Sequence, residues 1–195
     1  RRTSNFIKNN NINFDGNKVY LVIDGIVVKA FQMSKENVVN QESRKNNFDD
    51  VDYMVTVQLE DESIIEISLQ QFLLGALATN MVPNLSIEVL KAMAILYRTY
   101  VFKQMTEEKL VRAINNFFVY KPIDYYKIAF APDYDKVVAT LKEAIRQTNA
   151  MFVTYENKYI LPFIHICNFG HTLEDSRYPY LSSVPSLWDA TSPFY

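Results

Sequence analysis

The sequence predicts an α+β fold, in which antiparallel strands and hairpins pack on a long central helix at about residues 84–104 beside two further helices. Three observations support this prediction. Two β-branched hairpin patterns come first, segments of helical periodicity follow them, and another strand–turn–strand pattern comes after the helices. The chain has 195 residues, of which 49% are hydrophobic, so it is long enough to bury a substantial core.

The first two hairpins are predicted from β-branched runs around polar turns. The first occupies residues 18–33 and turns at Asp24-Gly25, a dipeptide that favours tight hairpin turns. The second occupies residues 53–69 and turns at residues 60–62. Residues 34–52 lie between them and form a polar stretch without periodicity, which indicates a long loop.

Helical periodicity begins at residues 70–81, an apolar segment interrupted by Gly75. The long helix follows Pro83, and Asn84 or Ser86 provides its start signal. Five residues recur at helical spacing and predict its buried stripe: Leu85, Val89, Met93, Leu96 and Tyr100.

Two shorter helices and a last pair of strands are predicted after the long helix. The first of these helices covers residues 105–118, with Thr106 as its N-cap, and the second covers residues 133–148. The strand pattern at residues 150–168 turns at Glu156-Asn157. The polar residues 1–16 are expected to be a poorly ordered lead-in.

The composition excludes several classes of function. A formal net charge of -2 argues against a nucleic-acid partner, because phosphate backbones favour a strongly basic surface. The single cysteine, Cys167, cannot form an intramolecular disulfide. No segment reaches the roughly 20 apolar residues that span a bilayer, and no secretory leader is visible. Phosphate-binding loops, serine-hydrolase elbows and HExxH metal motifs are absent from the sequence.

Three charged residues share one face of the long helix. Glu88, Lys91 and Arg98 lie at spacings of three and seven, away from the apolar stripe. Such a face could hold an anionic or hydroxylated substrate, with Glu88 as proton donor or acceptor. The same residues could instead simply solvate the helix, because a first-turn Glu complements the helix dipole and Glu–Lys pairs three apart are common.

A possible metal site lies near the carboxyl terminus. His165 and Cys167 alternate on a predicted strand and so point to one face, and His171 follows after a turn. Three such ligands could hold a tetrahedral Zn²⁺ with one open position. The alternative is a buried thiol beside two unrelated imidazoles. We predict no cofactor and keep these three residues only as candidate ligands.

The chain is also rich in aromatic residues with polar edges. Tyr and Trp present flat apolar faces that suit sugar rings or a partner protein, although ordinary packing under loops explains many such residues. The candidates are Tyr120, Tyr125, Tyr126, Tyr134, Tyr178, Tyr180 and Trp188.

Three ordered motifs resemble those of the stage II sporulation protein D (SpoIID) family. Residues 68–102 are similar to its signature, in outline YLxGVVAxEMPxxxxxEALKAQAVAARTYA. Residues 144–172 resemble AVxxTxGxVLxYxGKxIxAxYxSxxGGxT, and residues 178–193 resemble xPYLxxVxSPxD. The matching helix residues are Glu88, Leu90, Lys91, Ala92, Ala94, Arg98, Thr99 and Tyr100. We therefore divide the chain into an amino-terminal β-hairpin region, 1–62, and one compact SpoIID-like domain, 63–195.

The resemblance implies an activity and a location. Known members of the family are lytic transglycosylases, which cleave peptidoglycan glycan strands and prefer strands stripped of stem peptides. A single glutamate acts as acid and then as base. A related branch comprises amidase enhancers, which modulate a wall hydrolase. The resemblance also implies an extracytoplasmic protein, anchored to the membrane through a segment outside this chain. Its expected partners are glycan strands and a wall amidase or another sporulation membrane-complex protein.

This sequence departs from the family pattern where the chemistry is expected. The position of the family's acid/base Glu is taken by Asn80, and an amide cannot deliver a proton and take it back. Met93 replaces the Gln of the helix motif, and residues 115–130 lack the Cys-x4-His-Cys run through which some members bind zinc. The GGxT motif is reduced to residues 169–172.

We therefore expect a degenerate, non-catalytic SpoIID-like domain that acts in peptidoglycan remodelling by binding glycan or a partner hydrolase. By resemblance, its substrate-binding residues are Lys91, Arg98, Thr172 and Tyr180. The alternative is an active lytic transglycosylase in which Glu88 serves as acid/base, which requires Glu88 to face the groove and to hold a proton. A third interpretation is a structural protein whose groove binds nothing.

Overall fold

The computed structural model describes residues 13–15, 18–23, 26–32, 49–80, 85–115, 118–164 and 170–185. The chain divides into two compact units, one formed by Arg1–Val38 with Phe163–Tyr195 and the other by Val39–Pro162. The predicted division into residues 1–62 and 63–195 stays a prediction. Most of the predicted loop at residues 34–52 lies outside the described residues.

The first unit contains a three-stranded antiparallel sheet in the order β1-β2-β3, formed by Asn13–Asp15, Lys18–Ile23 and Ile26–Gln32. Strands β2 and β3 are the predicted first hairpin, and Lys18 pairs with Gln32. The expectation of a lead-in without structure at residues 1–16 is wrong for β1, which pairs with β2. Three residues are too few to show the alternation that identifies a strand.

The second unit contains a mixed sheet in the order β5-β4-β6. Strands β4 (Met54–Gln58) and β5 (Ile64–Ser68) form the predicted second hairpin. Strand β6 (Val111–Arg112) runs parallel to β4 along its other edge. Three valines from this sheet, Val55, Val57 and Val111, are fully buried, so the sheet contributes directly to the core of this unit.

Strand β6 corrects the predicted helix at residues 105–118. The preceding helix continues through Glu107, and Thr106 lies inside it, where its hydroxyl donates to the Phe102 carbonyl at 2.7 Å. Thr106 is therefore not an N-cap. The helix ends before Lys109, which has a positive φ of 64°. Pairing with β4 and burial of Val111 override the local helical pattern.

Three helices follow in the same unit: α1 (Leu69–Thr79), α2 (Ile87–Glu107) and α3 (Tyr134–Gln147). Ser68 caps α1, and Ser86 caps α2 by accepting a hydrogen bond from the Val89 amide. Helix α2 overlaps the predicted helical segment at 84–104 and extends beyond it to Glu107, and α3 lies within the predicted segment 133–148. The stripe residues that lie within α2 are all buried: Val89, Met93, Leu96 and Tyr100. Helix α2 contacts α1, α3 and strands β4, β6 and β8.

Gly75 allows a close approach between α1 and the chain at Tyr120–Lys121. A Cβ atom at Gly75 would lie 2.1 Å from the Lys121 carbonyl oxygen and 2.7 Å from the Tyr120 ring. The ring of Tyr120 stacks on Phe72 of α1 at 5.0 Å between centroids. The glycine that interrupts the apolar pattern therefore brings the end of α1 against the segment that follows residue 118.

The last predicted turn is also present. Strands β7 (Thr154–Tyr155) and β8 (Lys158–Tyr159) pair antiparallel, and Glu156 and Asn157 both have positive φ, as a tight two-residue hairpin requires. The helices and small sheets of the described residues make the fold α+β, as predicted. Within the described ranges, none of the helices combines the length and the apolar character needed to cross a bilayer.

Candidate functional site

Asn80 follows the last residue of α1 and presents its side chain at the surface. Its backbone amide donates to the Leu77 carbonyl at 3.1 Å, which closes the helix. Its side-chain Nδ2 donates to the hydroxyl oxygen of Tyr97 at 2.7 Å. Tyr97 is only 2% exposed, and burial raises its pKa, so the phenol stays neutral. The pair is therefore a neutral hydrogen bond between α1 and α2, with the carboxamide left accessible.

Thr79, the neighbour of Asn80, fixes the same helix end to a second segment. Its Oγ1 donates to the Val119 carbonyl at 2.7 Å and lies 2.5 Å from the hydroxyl of Tyr126. Because a threonine hydroxyl has one proton, which goes to the carbonyl, Tyr126 is the donor to Thr79. The end of α1 thus holds both an exposed amide and the tyrosine-rich segment beyond residue 118.

Glu88 and Lys91 form a pair at the start of α2. The Lys91 ammonium donates to the Glu88 carboxylate at 2.7 Å, and the side chains are 22% and 30% exposed for Lys91 and Glu88 respectively. This is the arrangement expected of a partly exposed ion pair three residues apart. A proton-transfer role for Glu88 would first require the carboxylate to leave this ammonium.

Arg98 lies on the same helix but is completely buried. Its Nε donates to Oδ1 of Asp50 at 2.9 Å, its Nη2 donates to Oδ2, and its Nη1 reaches the Met151 carbonyl at 3.3 Å. Desolvation raises the pKa of Asp50, although the hydrogen bonds from Arg98 oppose the shift. Since Arg98 has no exposed surface, it does not reach a ligand in this arrangement, and its substrate-binding role stays a prediction.

The backbone of Asp50 is held on both sides as well. Its amide donates to Oδ1 of Asn149 at 3.1 Å, and its carbonyl accepts from the Gln70 amide at 2.9 Å. Together with the Arg98 guanidinium, these bonds connect the residues before β4 to the start of α1 and to the end of α3. We interpret Arg98 as the centre of a structural network.

Thr172 and Tyr180 belong to the other unit. The Thr172 hydroxyl accepts from the Val184 amide at 2.9 Å and donates to the Ser182 carbonyl at 3.2 Å. Tyr180 is buried, with its ring 5.8 Å from that of Tyr178. The hydroxyl of Thr172 therefore closes its own loop, and the substrate-binding role predicted for both residues is not tested by these contacts.

Of the candidate metal ligands, His165 and Cys167 lie outside the described residues. His171 is exposed and forms an isolated bridge with Pro185. Among the residues that the structure describes, no group of three or more His, Cys, Asp or Glu side chains is placed to hold a metal ion. The zinc hypothesis therefore stays a prediction.

The sequence analysis did not identify Tyr97 or Asp50. A weak signal exists for Tyr97, because a tyrosine inside an apolar helix needs a hydrogen-bond partner for its hydroxyl. For Asp50 no local signal exists, since its partner is 48 residues away along the chain.

The fold and site define a class: an α+β domain in which a helix end presents an exposed carboxamide, fixed by a buried phenol from the next helix. Residues 59–155 match the family model SpoIID, described as a stage II sporulation protein. The chain is 28% identical to stage II sporulation protein D of Bacillus amyloliquefaciens, over 90% of this chain and 59% of the relative. The protein of the same name from Bacillus subtilis (strain 168) is 28% identical over 69% of this chain and 43% of its own length.

These matches support a divergent member of the SpoIID family, as the resemblance predicted. Membership supports a role in sporulation that is related to the cell wall. The chain spans about half the length of the curated relatives it matches.

Proposed function

We propose that this domain binds the glycan strands of peptidoglycan during sporulation without cleaving them. The observation that supports this proposal is the exposure and orientation of the Asn80 carboxamide. Its carboxamide is exposed and oriented by the Tyr97 hydroxyl at 2.7 Å. An oriented amide can donate to and accept from sugar hydroxyls and N-acetyl groups, which favours binding.

The same residue argues against cleavage. By resemblance, a lytic transglycosylase of this family needs one ionisable group that gives a proton to the leaving oxygen and then removes one. Neither the Asn80 carboxamide nor the buried Tyr97 phenol, whose pKa is raised by desolvation, can take both roles near neutral pH. Glu88, the alternative acid/base, is engaged by Lys91. The proposal therefore favours a degenerate enzyme that retains a binding surface.

The proposal also specifies a location. Peptidoglycan lies outside the cytoplasmic membrane, so the domain must act there, and a membrane anchor outside this chain would serve that purpose. A wall amidase is a possible second partner, because amidase enhancers belong to a related branch of the family.

Co-sedimentation with purified denuded glycan strands tests the proposal. We expect the unmodified protein to pellet with the strands and Asn80→Ala to bind about tenfold more weakly, the effect of losing about one hydrogen bond of 1.4 kcal/mol. Gln147→Ala is a matched control, because Gln147 is also an exposed carboxamide at the end of a helix; its binding should be unchanged. Absence of binding by the unmodified protein would refute the proposal.

A further inference from the structure

The segment from Ile123 to Phe130 exposes large apolar side chains beside the end of α1. It begins with a 3₁₀ turn, Ile123–Tyr126, which contacts α1. Tyr125 is 70% exposed and Ile128 is 92% exposed. Single exposed apolar residues are ordinary, but neighbouring ones mark a binding surface more often. The two residues lie three apart in one short segment beside α1.

The exposed ring of Tyr125 sits on a rigid support. The Tyr125 amide donates to the Pro122 carbonyl at 2.9 Å, and the Phe130 amide donates to the Tyr126 carbonyl at 3.0 Å. Tyr126 stacks on Phe130 with centroids 5.4 Å apart, and Tyr125 meets Tyr126 edge to face at 5.2 Å. A ring held in this way loses little conformational entropy when a ligand covers it.

The support is joined to Asn80. Tyr126 donates to Thr79 at 2.5 Å, and Thr79 is the residue before Asn80. Ring contacts and hydrogen bonds therefore connect Tyr125, through Tyr126 and Thr79, to the helix end that carries Asn80.

We infer that Tyr125, on the turn held by Tyr126, is an aromatic sugar subsite that works together with Asn80. This inference rests on the proposed function and deepens it. The C–H face of one sugar ring lies on Tyr125, while Asn80 bonds a hydroxyl or N-acetyl group of the adjoining sugar. An N-acetylated hexosamine polymer fits this surface, because it alternates apolar ring faces with amide groups.

A glycan fits this surface better than a protein partner. Among the described residues of this segment, the large exposed apolar side chains are those of Tyr125 and Ile128, whereas stable protein interfaces need a much larger apolar centre. Lys127 on the same turn is exposed, and its Nζ forms an ion pair with Asp124 at 3.2 Å. Because an exposed ion pair breaks at little cost, Lys127 can exchange Asp124 for the lactyl carboxylate that a muramic acid exposes once its stem peptide has been removed.

The test compares variants of Tyr125 for affinity to denuded glycan strands. We expect Tyr125→Ala to weaken co-sedimentation about tenfold, because the flat ring face that would contact the sugar is lost. Tyr125→Trp should retain binding, because it keeps the flat face. Ile64→Ala removes an exposed apolar side chain from β5 and is the matched control, with unchanged binding expected. Tyr125→Trp should also show a larger change in tryptophan emission on glycan addition than the unmodified protein, whose single tryptophan is Trp188.

The outcomes separate this inference from the proposed function. If the unmodified protein binds and Tyr125→Ala binds equally well, the subsite is refuted while glycan binding stands. If the unmodified protein does not bind, both fail. If Tyr125→Ala keeps glycan binding but loses a purified wall amidase, the surface is a protein-docking site and the inference is overturned.

Discussion

The two ends of the charged face of α2 have opposite structural roles. At its start, Glu88 and Lys91 form a partly exposed pair with each other. Three turns later, Arg98 is fully buried and pairs with Asp50, a residue from outside the helix. Glu88, Lys91 and Arg98 match one helical spacing, yet only Arg98 belongs to a pair that is part of the core.

This difference shows that the charge pattern of a helix does not determine its function. An exposed pair contributes little to stability, because water solvates both partners when the pair is broken. A buried pair becomes essential once formed, because removal of one partner leaves an unpaired charge away from water. Burial therefore decides which residues of this face stabilise the fold and which remain available at the surface.

The largest expected effect is that of Arg98→Ala. We expect it to lower the free energy of unfolding by about 3–5 kcal/mol, because the Asp50 carboxylate is left buried without its partner. Urea denaturation followed by circular dichroism measures the change. Arg98→Met combined with Asp50→Leu should recover much of the loss, since both charges are then gone. A loss under about 1 kcal/mol for Arg98→Ala would contradict the buried pair.

The same variant should have a characteristic pH dependence. The pKa of Asp50 is raised from 3.8 by desolvation, so the folded state holds the proton more tightly than the unfolded state. The free energy of unfolding therefore falls as pH rises through the folded-state pKa. In Arg98→Ala the guanidinium that opposes the desolvation of Asp50 is missing, so the free energy of unfolding falls further as pH rises. The difference in free energy of unfolding between the unmodified protein and Arg98→Ala should therefore become smaller as the pH is lowered from about 7 to about 4. A difference that does not change with pH would contradict this explanation.

Tyr97→Phe should have an intermediate effect. It removes the acceptor of the Asn80 bond, and we expect a loss of about 0.5–1.5 kcal/mol, since the exposed carboxamide regains water. Tyr125→Phe removes an exposed hydroxyl and should change stability by less than about 0.5 kcal/mol. Thermal denaturation of both variants tests the comparison, and equal losses would mean that the Asn80–Tyr97 bond contributes nothing.

The smallest effect is expected at the exposed pair. Glu88→Gln and Lys91→Ala should each change the free energy of unfolding by about 0.5 kcal/mol or less, because the pair is three residues apart and partly solvated. High salt screens the attraction between Glu88 and Lys91 in the unmodified protein, so its stability should then differ even less from that of the two variants. A loss comparable to that of Arg98→Ala at either position would remove the contrast between the two ends of the helix.

The local features of this fold could be predicted from sequence, whereas the long-range ones could not. Ser86, the apolar stripe of α2 and the Glu156-Asn157 turn are each signalled by their immediate neighbours. Strand β6 was predicted as helix, because its structure depends on pairing with β4, more than 50 residues earlier in the chain.

The candidate site shows the same limit. The amide at Asn80 could be identified by resemblance, but its bond to Tyr97 depends on how α1 and α2 pack. The burial of Arg98 could not be predicted from its spacing, because Asp50 comes from a segment without periodicity. The run of tyrosines did not indicate that Tyr120 would be buried and Tyr125 exposed.

The central claim is that this domain binds glycan without cleaving it, because Asn80 cannot transfer protons. Incubation of the unmodified protein with denuded glycan strands, followed by mass analysis of the products, tests this claim most directly. We predict intact strands with no new anhydro-muramyl ends. Anhydro-muramyl ends that accumulate in proportion to protein and time would contradict the claim and make the domain a working transglycosylase.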